Sequence, residues 1–187
     1  MNNKFDDNSV IMGIDPGTNI MGFGIIKVVK KEMKLIDMIE YKLPKSDDHN
    51  MKLYKIFKKT NELIKIHKPN YISIESPFFG KNVQSMLKLG RAQGVSIAAA
   101  LNSEIPITEY SPKKIKMAIT GNGNSSKEQV AKMLKSMLKI KELPKNLDST
   151  DGLAAAVCHF FNFQNEKQKK KYSGWSSFID KNPDKIA

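Results

Sequence analysis

Four carboxylates stand at places in this sequence where a carboxylate could do chemistry. Asp15 ends the apolar run VIMGID directly before PGT, and Glu75 ends YISIE directly before SPFFG. Asp148 and Asp151 lie three apart at the mouth of LDSTDGLAAAVCHFF, an apolar run of helical period. Residues three apart on a helix share a face, with side chains roughly 5–6 Å from each other. Each acid has an ordinary alternative. A charge at a strand end marks the chain leaving the core, and acids in a first helical turn cap it and oppose its dipole. Taken together, they could converge at the strand ends where α/β sheets hold their sites, which requires the first and fourth strands to be neighbours. Crowded carboxylates repel, and a divalent cation relieves the repulsion. Mg²⁺ takes hard oxygen ligands and keeps waters for substrate phosphate. Two such ions about 3.5–4 Å apart can activate water and stabilise the leaving oxygen in phosphodiester hydrolysis.

Competing chemistries find little support. No His/Cys cluster has zinc spacing, and the three histidines lack a serine or cysteine partner for a hydrolase triad. His159 would lie about 16 Å along the helix from Asp148, too far to share its site. GNGNSSKE does not satisfy the phosphate-loop pattern GxxxxGK[ST]. Its glycines suit a tight turn bearing Lys127.

The charge balance points to a polyanion. Lys and Arg total 31 against 19 Asp and Glu, a formal +12. Phosphate backbones reward such an excess through counterion release. Arg91 is the single arginine. Lysine meets phosphate as a point charge, whereas base reading leans on bidentate arginine, so a nucleic-acid partner would be recognised by shape more than sequence. The 187 residues, 40% hydrophobic and 27% charged, suit one domain with a real core. No apolar run approaches the roughly 18 residues that span a bilayer, and MNNKFDDNSV lacks signal-peptide regions. The single Cys158 sits in an apolar helical pattern as a buried small hydrophobe. A reducing, cytoplasmic setting is expected.

The elements that must position the acids follow from periodicity and punctuation. VIMGID, GFGIIKVV and KLIDMIEYKL read as an antiparallel meander. Residues 51–67 form a helix with Leu53, Ile56, Phe57, Leu63, Ile64 and His67 at helical spacing. YISIE is a fourth strand, residues 82–101 a well-buried helix, and ITEY a fifth strand. SPKKIKMAIT is a short helix with Ser111 as N-cap and Pro112 at its first position. Another helix begins near Ser125 or Ser126, and the last opens at Asp148. The expected fold is α/β with a mixed five-stranded sheet flanked by helices. Residues 1–9 read as an N-terminal extension, 10–163 as one domain, and 164–187 as a lysine-rich tail containing Trp175 and Phe178.

Four segments in order carry a resemblance: GIDPGTNIMGFGII, ESPFFGKNVQSMLKLGRAQG, YSPKKIKMAITGNGNSSKEQV and DSTDGLAAAVCH. From about residue 10 to 162 the chain resembles the RuvC-type Holliday-junction resolvases. That resemblance implies an RNase H-like fold and a homodimer that cuts two symmetric strands of a four-way DNA junction in recombination and repair. It implies two Mg²⁺ per subunit, with Mn²⁺ able to substitute, held by Asp15, Glu75, Asp148 and Asp151. It implies that Phe78 stacks at the junction centre, that Lys116 and Lys127 contact the backbone near the cut, and that Lys81 and Asn82 touch DNA. A RuvA–RuvB branch-migration complex is a further implied partner. Two departures stand out. LGRAQG inverts the more usual LGQARG, and Gly152 replaces the usual alanine, which is expected to loosen that helical turn. An actin-like ATPase also opens with Asp-x-Gly-Thr, but it needs a second phosphate loop and a second domain.

Overall fold

In the computed structural model, residues 7–77, 82–144 and 146–169 are described, with side chains through residue 163. The elements are β1 (Val10–Asp15), β2 (Ile20–Val29), β3 (Glu32–Lys42), α1 (His49–His67), β4 (Tyr71–Glu75), α2 (Val83–Leu101), β5 (Ile107–Tyr110), α3 (Pro112–Thr120), α4 (Lys127–Met137) and α5 (Asp148–Lys169). One mixed sheet runs in the order β3-β2-β1-β4-β5. The β1–β2 and β2–β3 pairs are antiparallel, whereas β1–β4 and β4–β5 are parallel. The first and fourth strands are therefore neighbours, as convergence of Asp15 and Glu75 requires.

Strand alternation decides which side chain faces which layer. Met12, Ile14, Met21, Phe23, Ile25, Ile72 and Ile74 point to one face and pack with Ile56, Leu63, Ile64, Ala92 and Ala100 of α1 and α2. Ile11, Ile26 and Val28 point to the other and pack with α3, α4 and α5. Parity puts Gly13 and Asp15 of β1, and Ser73 and Glu75 of β4, on the α5 side as well.

On that side the sheet has almost no side chains where α5 crosses it. A β-carbon on Gly13 would stand 2.1 Å from the Gly152 carbonyl oxygen, and one on Gly22 would stand 2.0 Å from that of Asp148. One on Gly24 would fall 2.2 Å from Leu153 Cα. The contact is reciprocal: a β-carbon on Gly152 would stand 2.5 Å from the Gly22 oxygen. The expected loosening at Gly152 is thus replaced by a different role. Residue 152 is buried inside a continuous helix and lets α5 sit down on β2; an alanine would require the helix to ride higher.

Helix ends follow the expected chemistry. Ser111 caps α3 and accepts from the Lys114 N–H at 3.3 Å, and Gly121 closes it in the left-handed region at φ 75°. Ser126 and Gln129 form a reciprocal capping box at the start of α4. His159 is 5% exposed, in the core. Its Nδ1 lies 2.9 Å from the Tyr110 hydroxyl, and its ring meets Tyr71 and Phe163. Cys158 is buried too, and burial pushes its thiol up to about 12, consistent with a packing role.

Two expectations change. The helix over 82–101 is not well buried throughout. Its first half is largely exposed, with Val83 at 64% and Leu87 at 52%, and β-carbons built on Gly90 and Gly94 would meet nothing within 4 Å. From Ala92 onward α2 side chains enter the core, and its first half finds no apolar cover among the described residues. Helix α5 also continues through Lys169, past the point where the sequence suggested a tail. Phe78, Lys81, Trp175 and Phe178 lie outside the described residues.

Gly22→Ala should destabilise the fold by about 1–3 kcal/mol, because backbone rather than a flexible side chain occupies the space. Urea unfolding checks this, and wild-type stability would contradict the close approach. His159 gives a pH signature. Burial lowers it to about 4 from 6.5, so unfolding takes up a proton between those values. The protein therefore loses stability from this group as pH falls from 6.5 to 4, by on the order of 3 kcal/mol. His159→Phe should abolish that part of the pH dependence when urea midpoints at pH 4.5 and 7 are compared with wild type.

Candidate active site

The site is assembled by register. Ile14 pairs with Ile74 across the parallel β1–β4 ladder, so Asp15 and Glu75 come next at adjacent strand ends on one face. Glu75 in turn pairs with Tyr110 of β5, and α3 starts two residues later, bringing Lys116 over the same end of the sheet. The capping box fixes where α4 begins and thereby aims its first residue, Lys127. The glycine contacts seat the first turn of α5, with Asp148 and Asp151, against β1 and β2. A cavity of about 240 Å³ results, lined by Asp15, Glu75, Lys116, Lys127 and Asp151 with Pro112, Ile115, Val130 and Ala154.

Its electrostatics are strongly coupled. Burial, then the charges of Glu75, Asp151 and Asp148, hold the Asp15 carboxyl well above the usual carboxylate range, with Lys127 opposing. Burial and the Asp151 charge push Glu75 up to about 7, against Lys127 and Lys116. Lys127 Nζ donates to Asp151 Oδ2 at 2.5 Å and lies 3.5 Å from Asp148 Oδ1. Burial nonetheless outweighs that bond at Asp151 and raises its carboxyl. Burial also works against the Lys127 ammonium, but the bond to Asp151 and the surrounding acids outweigh it and keep the lysine charged. One ammonium thus serves several carboxylates and compensates them incompletely.

That imbalance bears on whether these residues suit a divalent cation. As placed, no three acidic, histidine or cysteine side chains among the described residues are gathered at coordination spacing, and Lys127 provides the nearby positive charge. The donor chemistry fits: the converging ligand atoms are carboxylate oxygens, the hard donors Mg²⁺ prefers, and their mutual repulsion favours an added cation. Two larger cavities among the described residues, of about 760 Å³ between β3 and the segment after α4 and about 380 Å³ beside the starts of α1 and α2, contain none of the four acids.

The structure thus brings together Asp15, Glu75, Asp151 and Lys127, with Lys116 on the rim and Asp148 beside Lys127. Asn82 has a structural duty, since its Oδ1 accepts the Ser85 N–H at 3.0 Å and caps α2. What sequence reasoning missed is the glycine seat of α5. Its signal was the alternation G-F-G in β2 in phase with Gly13, which places small residues on one face.

Fold and site together define an RNase H-like nuclease. The family model described as "Crossover junction endodeoxyribonuclease RuvC" matches residues 11–159, and the chain belongs to this family. A crossover junction endodeoxyribonuclease RuvC of Christiangramia forsetii is 65% identical over 177 residues, covering 95% of this chain and 92% of that protein. The Bacteroides fragilis relative of the same name is 54% identical, with 95% of each covered. Among solved structures, Thermus thermophilus RuvC superposes with a TM-score of 0.76 at 29% identity, over 84% of this chain and 96% of that one. A second structure of the T. thermophilus protein, in complex with Holliday junction substrate, gives 0.75 at 27%.

The raised Glu75 carboxyl predicts a trade-off between site and stability. A carboxyl raised in the folded state loses its stabilising contribution as pH climbs from 4.5 through about 7, so at pH 8 the ionised cluster costs stability. In EDTA at pH 8, Glu75→Gln should unfold at higher temperature than wild type, by on the order of 1–3 kcal/mol. Added Mg²⁺ should raise the melting temperature of the wild type more than that of the variant. A destabilised Glu75→Gln would contradict the crowding of these acids.

Proposed function

We infer that this chain is a structure-selective endonuclease that resolves four-way DNA junctions by hydrolysing phosphodiester bonds in two symmetric strands. The observation that carries this is the convergence of Asp15, Glu75 and Asp151 with Lys127 and Lys116 in one cavity, and of Asp148 beside Lys127, in a member of the crossover junction endodeoxyribonuclease family. The T. thermophilus relative, whose structure contains a Holliday junction substrate, supports the choice of substrate.

Asp15, Glu75, Asp148 and Asp151 would hold Mg²⁺, which when bound supplies Lewis-acid polarisation of the phosphodiester and a more acidic water. The protein's own groups do the rest. Burial of Asp15 and Glu75 keeps the centre low in dielectric, so charges there act strongly on an incoming phosphate. Lys127 balances Asp151 and Asp148 and keeps them oriented. Lys116, on the cavity wall, offers a second ammonium to the non-bridging oxygens. Phe78 and Lys81, which follow Glu75 in the sequence, are assigned to the junction centre and the adjoining backbone by resemblance.

Two copies acting on two strands require a two-fold dimer. The bare face of α2 supports one: Val83, Leu87, Gly90, Gly94 and Leu101 recur at heptad spacing and are exposed, the two glycines allowing close approach of a second helix. A branch-migration complex remains a proposed partner on family grounds alone.

Glu75→Gln and Asp151→Asn should bind a synthetic four-way junction with near wild-type affinity and lose Mg²⁺-dependent nicking by at least about 100-fold. A gel assay of binding and cutting on one junction measures both. Wild-type cutting by either variant would overturn the assignment of the acids.

A further inference from the structure

A second polar groove lies at the same end of the sheet, on the α1/α2 side rather than the α5 side. It encloses about 380 Å³ and is lined by Thr18, Asn19, His49, Lys52, Ser85 and Lys88, together with Asp47 and Leu89. Three elements build it: the turn from β1 to β2, the first turn of α1, and the first half of α2. Both helices begin here, and neither carries an acidic residue in its first turn. At the start of α1 the cap Asp48 faces the dipole, its carboxylate committed to the Met51 N–H at 2.7 Å. Among the described lining residues Asp47 is the carboxylate, and Lys55 Nζ pairs with it at 2.6 Å. Lys52 Nζ donates to a neutral acceptor, Asn19 Oδ1, at 3.2 Å, and Lys88 has no ion pair among the described residues. His49 Nε2 is buried with no hydrogen-bond partner among the described residues. The groove therefore combines two ammonium groups with no carboxylate partner among the described residues, hydroxyl and amide groups, two helix starts and the His49 imidazole.

Its position says which anion it takes. Thr18 is three residues beyond Asp15, a reach of at most about 11 Å. A backbone phosphate recurs every 3.4 Å of rise along one strand, so the groove lies within roughly three nucleotides of a phosphate held at Asp15. Lys116 and Lys127 flank the carboxylates from the α5 side, and this groove flanks them from the other. We propose that the groove formed by Lys52, Lys88, His49 and the Thr18–Asn19 turn is a phosphate subsite that holds the cleaved DNA strand a few nucleotides from the bond that is cut. Lysines on both sides would then fix the strand across the acids without reading its bases.

This rests on the proposed nuclease reading, so binding is measured in the Glu75→Gln background, where cutting does not intervene. Lys52→Ala and Lys88→Ala should each reduce the slope of log affinity against log salt by about 1, and the double variant by about 2. Junctions carrying one uncharged methylphosphonate linkage at successive positions near the cut provide the second arm. At one position or two within about three nucleotides, the linkage should weaken binding by the protein with both lysines and leave the double variant unaffected. An unchanged salt slope, or no such position, overturns the subsite; the latter is also the result expected if the groove takes only free inorganic phosphate. If Glu75→Gln itself fails to bind a four-way junction, the nuclease reading falls instead.

Discussion

The structure depends on one contact: the backbone of α5 resting directly on the backbones of β1 and β2. A helix normally stands off a sheet by the thickness of the close-packed side chains that fill the layer between. Here Gly13, Gly22 and Gly24 leave that layer empty, and Gly152 answers them from the helix. Four side chains are given up, with the packing each could have provided. In exchange, two aspartates at a helix start come down to the level of two acids at strand ends. Neighbouring parts of the fold accommodate this. The Ala-rich run Ala154–Ala155–Ala156 continues the close packing, and Phe160 restores a normal layer further along.

The acids gathered by that contact work against the fold that gathers them. Buried carboxylates at close quarters raise one another, and Lys127 compensates only in part. The rest of the domain supports this with a two-sided core whose sheet residues alternate between layers along β1, β2 and β4, with one register shift where β2 pairs with β3. The same alternation places Asp15 and Glu75 on the α5 side, so core packing and site construction use a single rule. A one-residue slip of β1 would misplace Asp15 and bury the wrong half of VIMGID together.

Much of this was legible in the sequence, for identifiable reasons. Strands with clean alternation and turns rich in Gly and Pro mark their own limits, and Ser111, Pro112 and Ser126 announce helix starts through local hydrogen bonding. The strand-end acids stand out because a charge terminates an apolar run. What was not legible depends on contacts between distant segments. The role of Gly152 is invisible without knowing that Gly22 lies beneath it. The exposure of Val83 and Leu87 could not be read from a helix whose composition looks like core. The groove around Lys52 and Lys88 joins residues more than thirty apart, in a chain where lysines are common on every face.

The four acids sit on β1, β4 and α5, so they come together only when α5 docks on the sheet. A chain emerging from the ribosome carries Asp15 long before Asp148 and Asp151 exist. Partly made or partly unfolded molecules hold fragments of the acidic cluster and no working whole. Until α5 has been made and has docked, Asp15 and Glu75 lack the two aspartates and the cavity wall that α5 supplies, so an incomplete copy holds only half of the acidic cluster.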